Sequence, residues 1–152
     1  MSVEVQDFTF QVRKGYESAI AKALRKTVID IEANAKNNVT NQDSIDTGAL
    51  RASIFSETPD KPGYAAAEAE AVMASRTPGR HSGRPNPNFV MLDAPEPPRA
   101  LEAIAGVGAE YAVYVEFGTA FVPPAPFYGP AEEMATEAFE DQCVEMINRE
   151  VK

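Results

Sequence analysis

The sequence has one cysteine, one histidine and no tryptophan among its 152 residues. The lone cysteine, Cys143, excludes an intrachain disulfide and a cysteine-based metal cluster. The lone histidine, His81, leaves little for catalytic constellations that rely on a histidine base or on a Cys–His pair. The composition therefore favours a protein that has no cofactor, no metal site and no enzymatic activity.

Long apolar runs and an excess of positive charge are missing as well. No run approaches the ~18 apolar residues of a membrane span, and the first residues are neither basic nor uniformly apolar, so we expect no signal peptide. With 14 Lys and Arg against 23 Asp and Glu, the formal net charge is −9. This charge disfavours the wrapping of nucleic acid and the binding of a membrane. We expect a soluble protein, made in the cytoplasm, whose acidic surface would suit a passage through which DNA slides.

The length and the hydrophobic pattern predict one domain over residues 1–152. "VEVQDFTFQV" alternates like a half-buried strand, and "ASIFSE" and "RALEAIAGVGA" also predict strands. Between Tyr16 and Ala35 the apolar residues recur every three or four positions, which predicts an amphipathic helix of about six turns. Residues from Pro130 to Asn148 predict a closing helix, with Pro130 in its first turn and Cys143 on its apolar side.

The stretch "DTGALRASI" follows a polar turn and predicts a helical start. Thr47 has the side chain of an N-cap, because its hydroxyl can accept a hydrogen bond from a backbone N–H two or three residues on. Gly48 to Arg51 would then form a short helical turn, with Leu50 pointing inward.

Residues 59–100 hold eight of the twelve prolines. Because proline is excluded from helix and sheet interiors, we predict a long loop or arm inserted in the domain, within which "AAAEAEAVMAS" forms a strand or a helical turn. Arg76, Arg80 and Arg84 form a basic cluster here. The cluster would contact either nucleic-acid phosphate or the acidic surface of a neighbouring subunit, and the net charge favours the protein partner.

The stretch "EYAVYVEFGT" places Glu116 between Val115 and Phe117. Its pattern fits a strand and a helical turn equally. A catalytic role for Glu116 would need a partner group in a pocket, and no second polar cluster accompanies it; a hydrolase built on Glu116 and His81 is the weakest alternative. We expect the carboxylate to accept hydrogen bonds from free backbone N–H groups or to pair with an arginine.

The proline-rich segment that follows contains Phe121, Phe127 and Tyr128. Aromatic side chains commonly dominate the binding energy of protein interfaces. These three would either anchor contacts between subunits or close the core of the monomer, and the sequence does not choose between the two.

Three boxes occur in order along the chain, and together they resemble the neck or tail-completion family of long-tailed bacteriophages and prophages, the small minor tail components known as head–tail joining proteins. The first box falls on Asp46, Thr47, Gly48, Leu50, Arg51, Ser53 and Ile54. The second falls on Tyr111, Ala112, Glu116, Phe117, Gly118 and Thr119. The third falls on Pro126, Phe127, Pro130 and Ala131.

The resemblance implies an α+β fold, in which a small curved antiparallel sheet is flanked by a long N-terminal helix and a C-terminal helix. It implies a structural virion protein that forms a homo-oligomeric ring, of six copies, at the head–tail junction, and no catalysis. Its partners would be its own copies, the head-completion, tail terminator or tube proteins, and DNA that passes without sequence-specific binding. The alternative function is a nucleic-acid-contacting accessory protein that uses Arg76, Arg80 and Arg84. The segment 59–100 departs from the family pattern.

Overall fold

The structure is a computed structural model, and it describes residues 9–42, 46 and 48–151. These residues form helices and one pair of strands. In chain order they are α1 (Thr9–Asn41), α2 (Ala49–Ala52), β1 (Ile54–Glu57), α3 (Tyr64–Ser75), β2 (Ile104–Val107), α4 (Ala112–Phe117), α5 (Gly129–Glu137) and α6 (Phe139–Glu150). The expected α+β class, with a long first helix, an antiparallel sheet and a closing helical segment, is confirmed.

Strand β1 contacts α1, α2, α3 and β2 and is buried along its whole length. It pairs antiparallel with β2, with Ile54 opposite Val107 and Glu57 opposite Ile104. Because successive side chains of a strand point to opposite faces, Ile54 enters one hydrophobic cluster and Phe55 another. The strand therefore joins the two parts of the core.

The larger cluster is formed by α1, α2, β1 and the start of α5. Its buried members are Ala35, Val39, Leu50, Ile54, Ala109, Phe127 and Ala131. The smaller cluster forms where α3 covers β1, and there the rings of Phe55 and Tyr64 meet edge to face with their centroids 5.3 Å apart. Helices α5 and α6 pack along α1, where small residues such as Ala19 and Ala23 allow close approach.

Helix α1 is longer than the apolar pattern predicts. The opening strand is wrong where it can be compared, because residues 9–12 are helical, while residues 3–8 lie outside the described residues. Phe10 and Val12 project mainly into solvent, and the Phe10 ring contacts the Lys14 ammonium, 4.6 Å from its centroid, at the helical spacing of four. The alternation of apolar and polar residues there is too short to indicate a strand reliably, and α1 extends through it.

The predicted closing helix is interrupted. Ala138 ends α5 and begins α6, so one predicted element becomes two. The predicted strand before residue 107 is also shorter than expected, because Leu101 has a φ of 63° and only Ile104–Val107 pair with β1. In the proline-rich segment, the alanine-rich stretch that the sequence left open is the helix α3.

No helix formed by the described residues is both long enough and apolar enough to cross a membrane.

Candidate functional site

The three sequence boxes converge on the larger hydrophobic cluster. Leu50 of the first box and Phe127 of the third are buried there, and Tyr111 of the second packs against them. Burial raises the pKa of the Tyr111 hydroxyl above its usual range. The three boxes, which are far apart in the sequence, therefore meet in one region of the fold.

Glu116 binds the beginning of α5. Its carboxylate accepts hydrogen bonds from the backbone N–H groups of Phe127 (2.8 Å), Tyr128 (2.9 Å) and Gly129 (2.9 Å). Gly129 is the first residue of α5, and Phe127 and Tyr128 directly precede it. N–H groups at the beginning of a helix have no partners within it, and a negative charge is favourable at that end. The expectation that Glu116 accepts from free backbone N–H groups is confirmed, and residues 112–117 are a helix rather than a strand.

The segment before α5 is fixed from two further sides. The side-chain amides of Asn38 and Gln42, at the end of α1, donate to the carbonyl oxygens of Phe127 (2.9 Å) and Pro126 (2.6 Å). The Tyr128 hydroxyl donates to the Ala105 carbonyl in β2 at 2.8 Å, and burial, followed by the charge of Glu132, raises the pKa of Tyr128 to about 12. Pro130 lies in the first turn of α5, as predicted.

Gly118 and Thr119 turn the chain sharply after α4. The Thr119 hydroxyl accepts hydrogen bonds from the N–H groups of Phe121 (3.2 Å) and Val122 (3.1 Å), and the Thr119 N–H donates to the Val122 carbonyl (2.8 Å). The turn therefore has a defined conformation, and Phe121 lies at its tip.

Several exposed apolar side chains lie on α4 and on the turn that follows it, and we call this set the aromatic patch. It consists of Val113, Tyr114, Phe117, Phe121 and Val122. Phe117 is 75% exposed and Phe121 is 96% exposed. Of the aromatic residues that the sequence left between interface and core, Phe127 belongs to the core, Tyr128 is half-buried and Phe121 is free of the core. Large apolar side chains exposed together on one short helix and its following turn make this segment a candidate interaction site.

Asp46 anchors the loop that carries the arginines. Its carboxylate accepts hydrogen bonds from the N–H groups of His81 (2.8 Å) and Ser82 (3.0 Å), and its carbonyl accepts from Arg80 (2.9 Å). Hydrogen bonds from Ser82, and then from His81, hold the pKa of Asp46 below its usual range. The first box is thereby joined to a loop thirty-five and more residues further along the chain.

A groove of about 390 Å³ opens between this loop, α2 and α4, and we call it the cationic groove. Arg51 and Arg84 contribute its two guanidinium groups, and Asp46 contributes its carboxylate. Val39, Leu50 and Val115 line its apolar part. The groove combines apolar surface with positive charge, which suits a partner that carries both an apolar group and a carboxylate.

The other predicted site residues are more scattered. Arg76 follows α3 directly, and Arg80 is exposed; neither lines the cationic groove. Gly48 precedes α2 with a φ of 85°, and Thr47 lies outside the described residues. Cys143, predicted on the apolar side of the closing helix, is only half-buried; burial, and then the charge of Glu140, raise the pKa of its thiol.

The sequence analysis did not identify Glu57, whose carboxylate has a structural role. Glu57, at the end of β1, accepts hydrogen bonds from the N–H groups of Gly63 (3.1 Å) and Tyr64 (2.9 Å) at the beginning of α3. Its sequence signal is weak, because a glutamate seven residues before the start of a helix matches no common capping spacing. The described residues contain no group of His, Cys, Asp and Glu side chains that could hold a metal ion.

Comparison with known proteins gives no functional guide. No protein-family model, no curated protein and no solved structure matches the chain.

Proposed function

We propose that the chain is a structural virion protein of a tailed bacteriophage, which forms a homo-oligomeric ring in the neck and joins the completed tail to the head. The aromatic patch is the observation that carries this proposal. Phe121, 96% exposed, stands on a turn whose conformation is held by Thr119 and, through α5, by Glu116. A rigid turn presents its side chain to a partner with less loss of conformational entropy than a mobile one.

The hydrogen bonds of Glu116 support a structural role over a catalytic one. Both carboxylate oxygens are engaged by backbone N–H groups, at 2.8–2.9 Å, and no histidine accompanies them among the residues that line the adjoining cleft. A general acid or base needs an oxygen that can reach substrate. In the proposed function, this carboxylate fixes the turn and α5 relative to each other, and so shapes the surface that a neighbouring subunit contacts.

The proposed ring has six copies, as the resemblance implies, and stands in the virion at the head–tail junction. Head-completion proteins would contact it on one side, and tail terminator or tube proteins on the other. The net charge of −9 supports passage of DNA through the lumen, because like charge weakens non-specific binding to phosphate.

The experiment compares the native mass and the electron-microscopic images of three proteins. These are the parent chain, the double variant Phe117→Ser/Phe121→Ser, and the control variant Met73→Ser, whose side chain is 71% exposed on α3 and lies outside the aromatic patch. The parent and the control should form rings, and the double variant should remain monomeric. A parent that is monomeric at every concentration, or a double variant that assembles like the parent, contradicts the proposal.

Duplex DNA provides the test of the alternative function. The proposed protein should bind DNA weakly, and equally weakly after Arg76, Arg80 and Arg84 are replaced by alanine. Strong binding that falls steeply with salt, and that the triple variant loses, would instead indicate a nucleic-acid-contacting accessory protein.

A further inference from the structure

The two guanidinium groups of the cationic groove have no acidic partner within the described part of the chain. The ion pairs there connect Arg13 with Glu17, Lys22 with Glu150, Lys26 with Asp30, Lys36 with Glu32, and Arg149 with Glu145. Arg51 and Arg84 are exposed and belong to none of these pairs. The groove's own carboxylate, that of Asp46, accepts two backbone N–H groups on its Oδ1 and offsets one of the two positive charges. Positive charge therefore remains available at the groove of a chain whose net charge is −9.

The outer face of α5 and α6 has the opposite character. It carries Glu133, Glu137, Glu140 and Asp141, which are all exposed, and we call this set the acidic ridge. Glu133 and Glu137 stand four residues apart on α5, a spacing at which helical side chains are neighbours and like charges destabilise the helix. Glu140 and Asp141 follow in the first turn of α6. None of the ion pairs named above includes a ridge carboxylate. The ridge thus retains unfavourable repulsion that a cationic partner would relieve.

The ridge points away from the body of its own molecule. On α5 the buried residues are Ala131 and Ala135, which pack toward α1 and leave Glu133 and Glu137 on the solvent side. Met134 follows Glu133 directly and is 61% exposed, although its sulfur accepts a hydrogen bond from the Asn34 amide of α1 at 3.9 Å. The ridge therefore offers carboxylates near a partly exposed apolar side chain, and the cationic groove has both positive charge and apolar surface to receive them.

We propose that the cationic groove of one copy receives the acidic ridge of the next copy, with Arg51 and Arg84 pairing with Glu133 and Glu137. Guanidinium–carboxylate pairs can form two parallel hydrogen bonds, which gives the contact a defined orientation. Groove and ridge are different patches, so the contact is head-to-tail, and such a contact closes into a ring when the rotation per subunit allows it. This inference rests on the proposed ring and adds a second contact to that of the aromatic patch.

Charge reversal in matched pairs tests the contact. One variant, Arg51→Glu/Arg84→Glu, has an acidic groove and an acidic ridge. The other, Glu133→Arg/Glu137→Arg, has a basic groove and a basic ridge. Each alone should lose assembly, because groove and ridge repel. Mixed together they should assemble again, since every contact between unlike copies pairs opposite charges, and native mass measurement should find equal numbers of the two chains in each ring.

Two controls separate charge from position. The variant Arg25→Glu/Arg99→Glu carries the same change in net charge at exposed positions outside the groove, and it should assemble like the parent. Raising the salt concentration should weaken the assembly of the parent, because exposed ion pairs are screened over about 3 Å at 1 M salt.

The outcomes distinguish this inference from the proposed function. If the parent assembles and the groove variant assembles equally well, the groove–ridge contact is wrong and the ring proposal stands. If both reversed variants fail alone and also fail when mixed, the contact is wrong as well. If the parent is monomeric under all conditions, the ring proposal falls, and this inference falls with it. Loss of DNA binding in the groove variant, with assembly intact, would assign the arginines to nucleic acid instead.

Discussion

Glu57 and Glu116 each hold the beginning of a helix that lies further along the chain, but in different surroundings. Glu57 is 7% exposed and binds the N–H groups of Gly63 and Tyr64 in the interior. Glu116 is half-buried and binds Phe127, Tyr128 and Gly129 beside the aromatic patch. In both, a carboxylate supplies the acceptor that the first turn of a helix lacks.

Because Glu57 is more buried than Glu116, the same kind of hydrogen bond has a different role at each residue. A buried N–H that loses its acceptor has no water to replace it, so the contact of Glu57 contributes mainly to folding stability. Water can reach part of the Glu116 site, so the folding contribution there is smaller. What Glu116 supplies in addition is the position of the turn at Gly118 and Thr119, on which Phe121 stands.

Of the variants considered, Glu57→Ala should lower the free energy of unfolding the most. Two N–H groups at the beginning of α3 would lose their acceptor inside the smaller hydrophobic cluster, and we expect a loss of about 3 kcal/mol in the free energy of unfolding. Urea unfolding followed by circular dichroism measures it. Glu57→Gln keeps an acceptor oxygen and should lose less than half as much; equal losses for the two variants would show that the hydrogen bonds are not responsible.

A substitution at Gly118, in the turn after Glu116, should lower the free energy of unfolding nearly as much. Its φ of 75° and ψ of −176° lie in a region that only glycine adopts readily, and a Cβ there would lie 2.7 Å from the Pro124 nitrogen. We expect Gly118→Ala to lower the free energy of unfolding by about 2 kcal/mol and to weaken assembly.

Gly83 offers the matched control for that variant. Its φ is also positive, 62°, but a Cβ there would have no atom within 4 Å. Gly83→Ala should therefore lower the free energy of unfolding by only about 1 kcal/mol. Equal losses in the two glycine variants would mean that the close approach at Pro124 contributes nothing.

Glu116→Ala should be less destabilising than Glu57→Ala. We expect a loss of about 1.5 kcal/mol in the free energy of unfolding, together with weaker ring assembly, because α5 and the turn would no longer be fixed to each other. Glu116→Gln is the matched control and should retain most of both. A Glu116→Ala protein that assembles like the parent would remove this residue from the proposed interface.

The sequence predicted the elements that bury apolar residues at regular spacing. The central part of α1, the Leu50 turn, β1 and the start of α5 are of this kind, since their periodicity reflects the core that they build. It did not locate the break at Ala138, where an ordinary helix former ends one helix and begins another, because tertiary packing sets the direction of α6 there. It left α3 and α4 undecided, because short alanine-rich or mixed apolar runs fit both periods.

The candidate site, like the fold, was predicted only in part from the sequence. Glu116 was identified because an acidic residue in an apolar run needs a partner. The anchoring of the arginine loop by Asp46 was not, since the N–H groups that bind the carboxylate come from His81 and Ser82, and no local pattern links positions so distant. The exposure of Phe121 beside the burial of Phe127 also depends on tertiary packing, because both stand in the same proline-rich segment.

Asp46 is a third carboxylate that accepts backbone N–H groups, at the surface of the molecule. The change expected from its titration is the smallest of those predicted. Hydrogen bonds from Ser82 and His81 lower its folded-state pKa below the unfolded value of about 3.9. A group with a lowered folded-state pKa stabilises the protein fully above the unfolded pKa, and this contribution is lost as the pH falls through the folded-state pKa. The arginine loop should therefore stay anchored at neutral pH and loosen only in acid. The amide proton of Ser82, followed by NMR, should titrate with a midpoint below about 3.9, and Asp46→Asn should abolish that titration. A midpoint at or above the unfolded value would mean that the loop is held by other contacts, and that the cationic groove keeps its shape without this carboxylate.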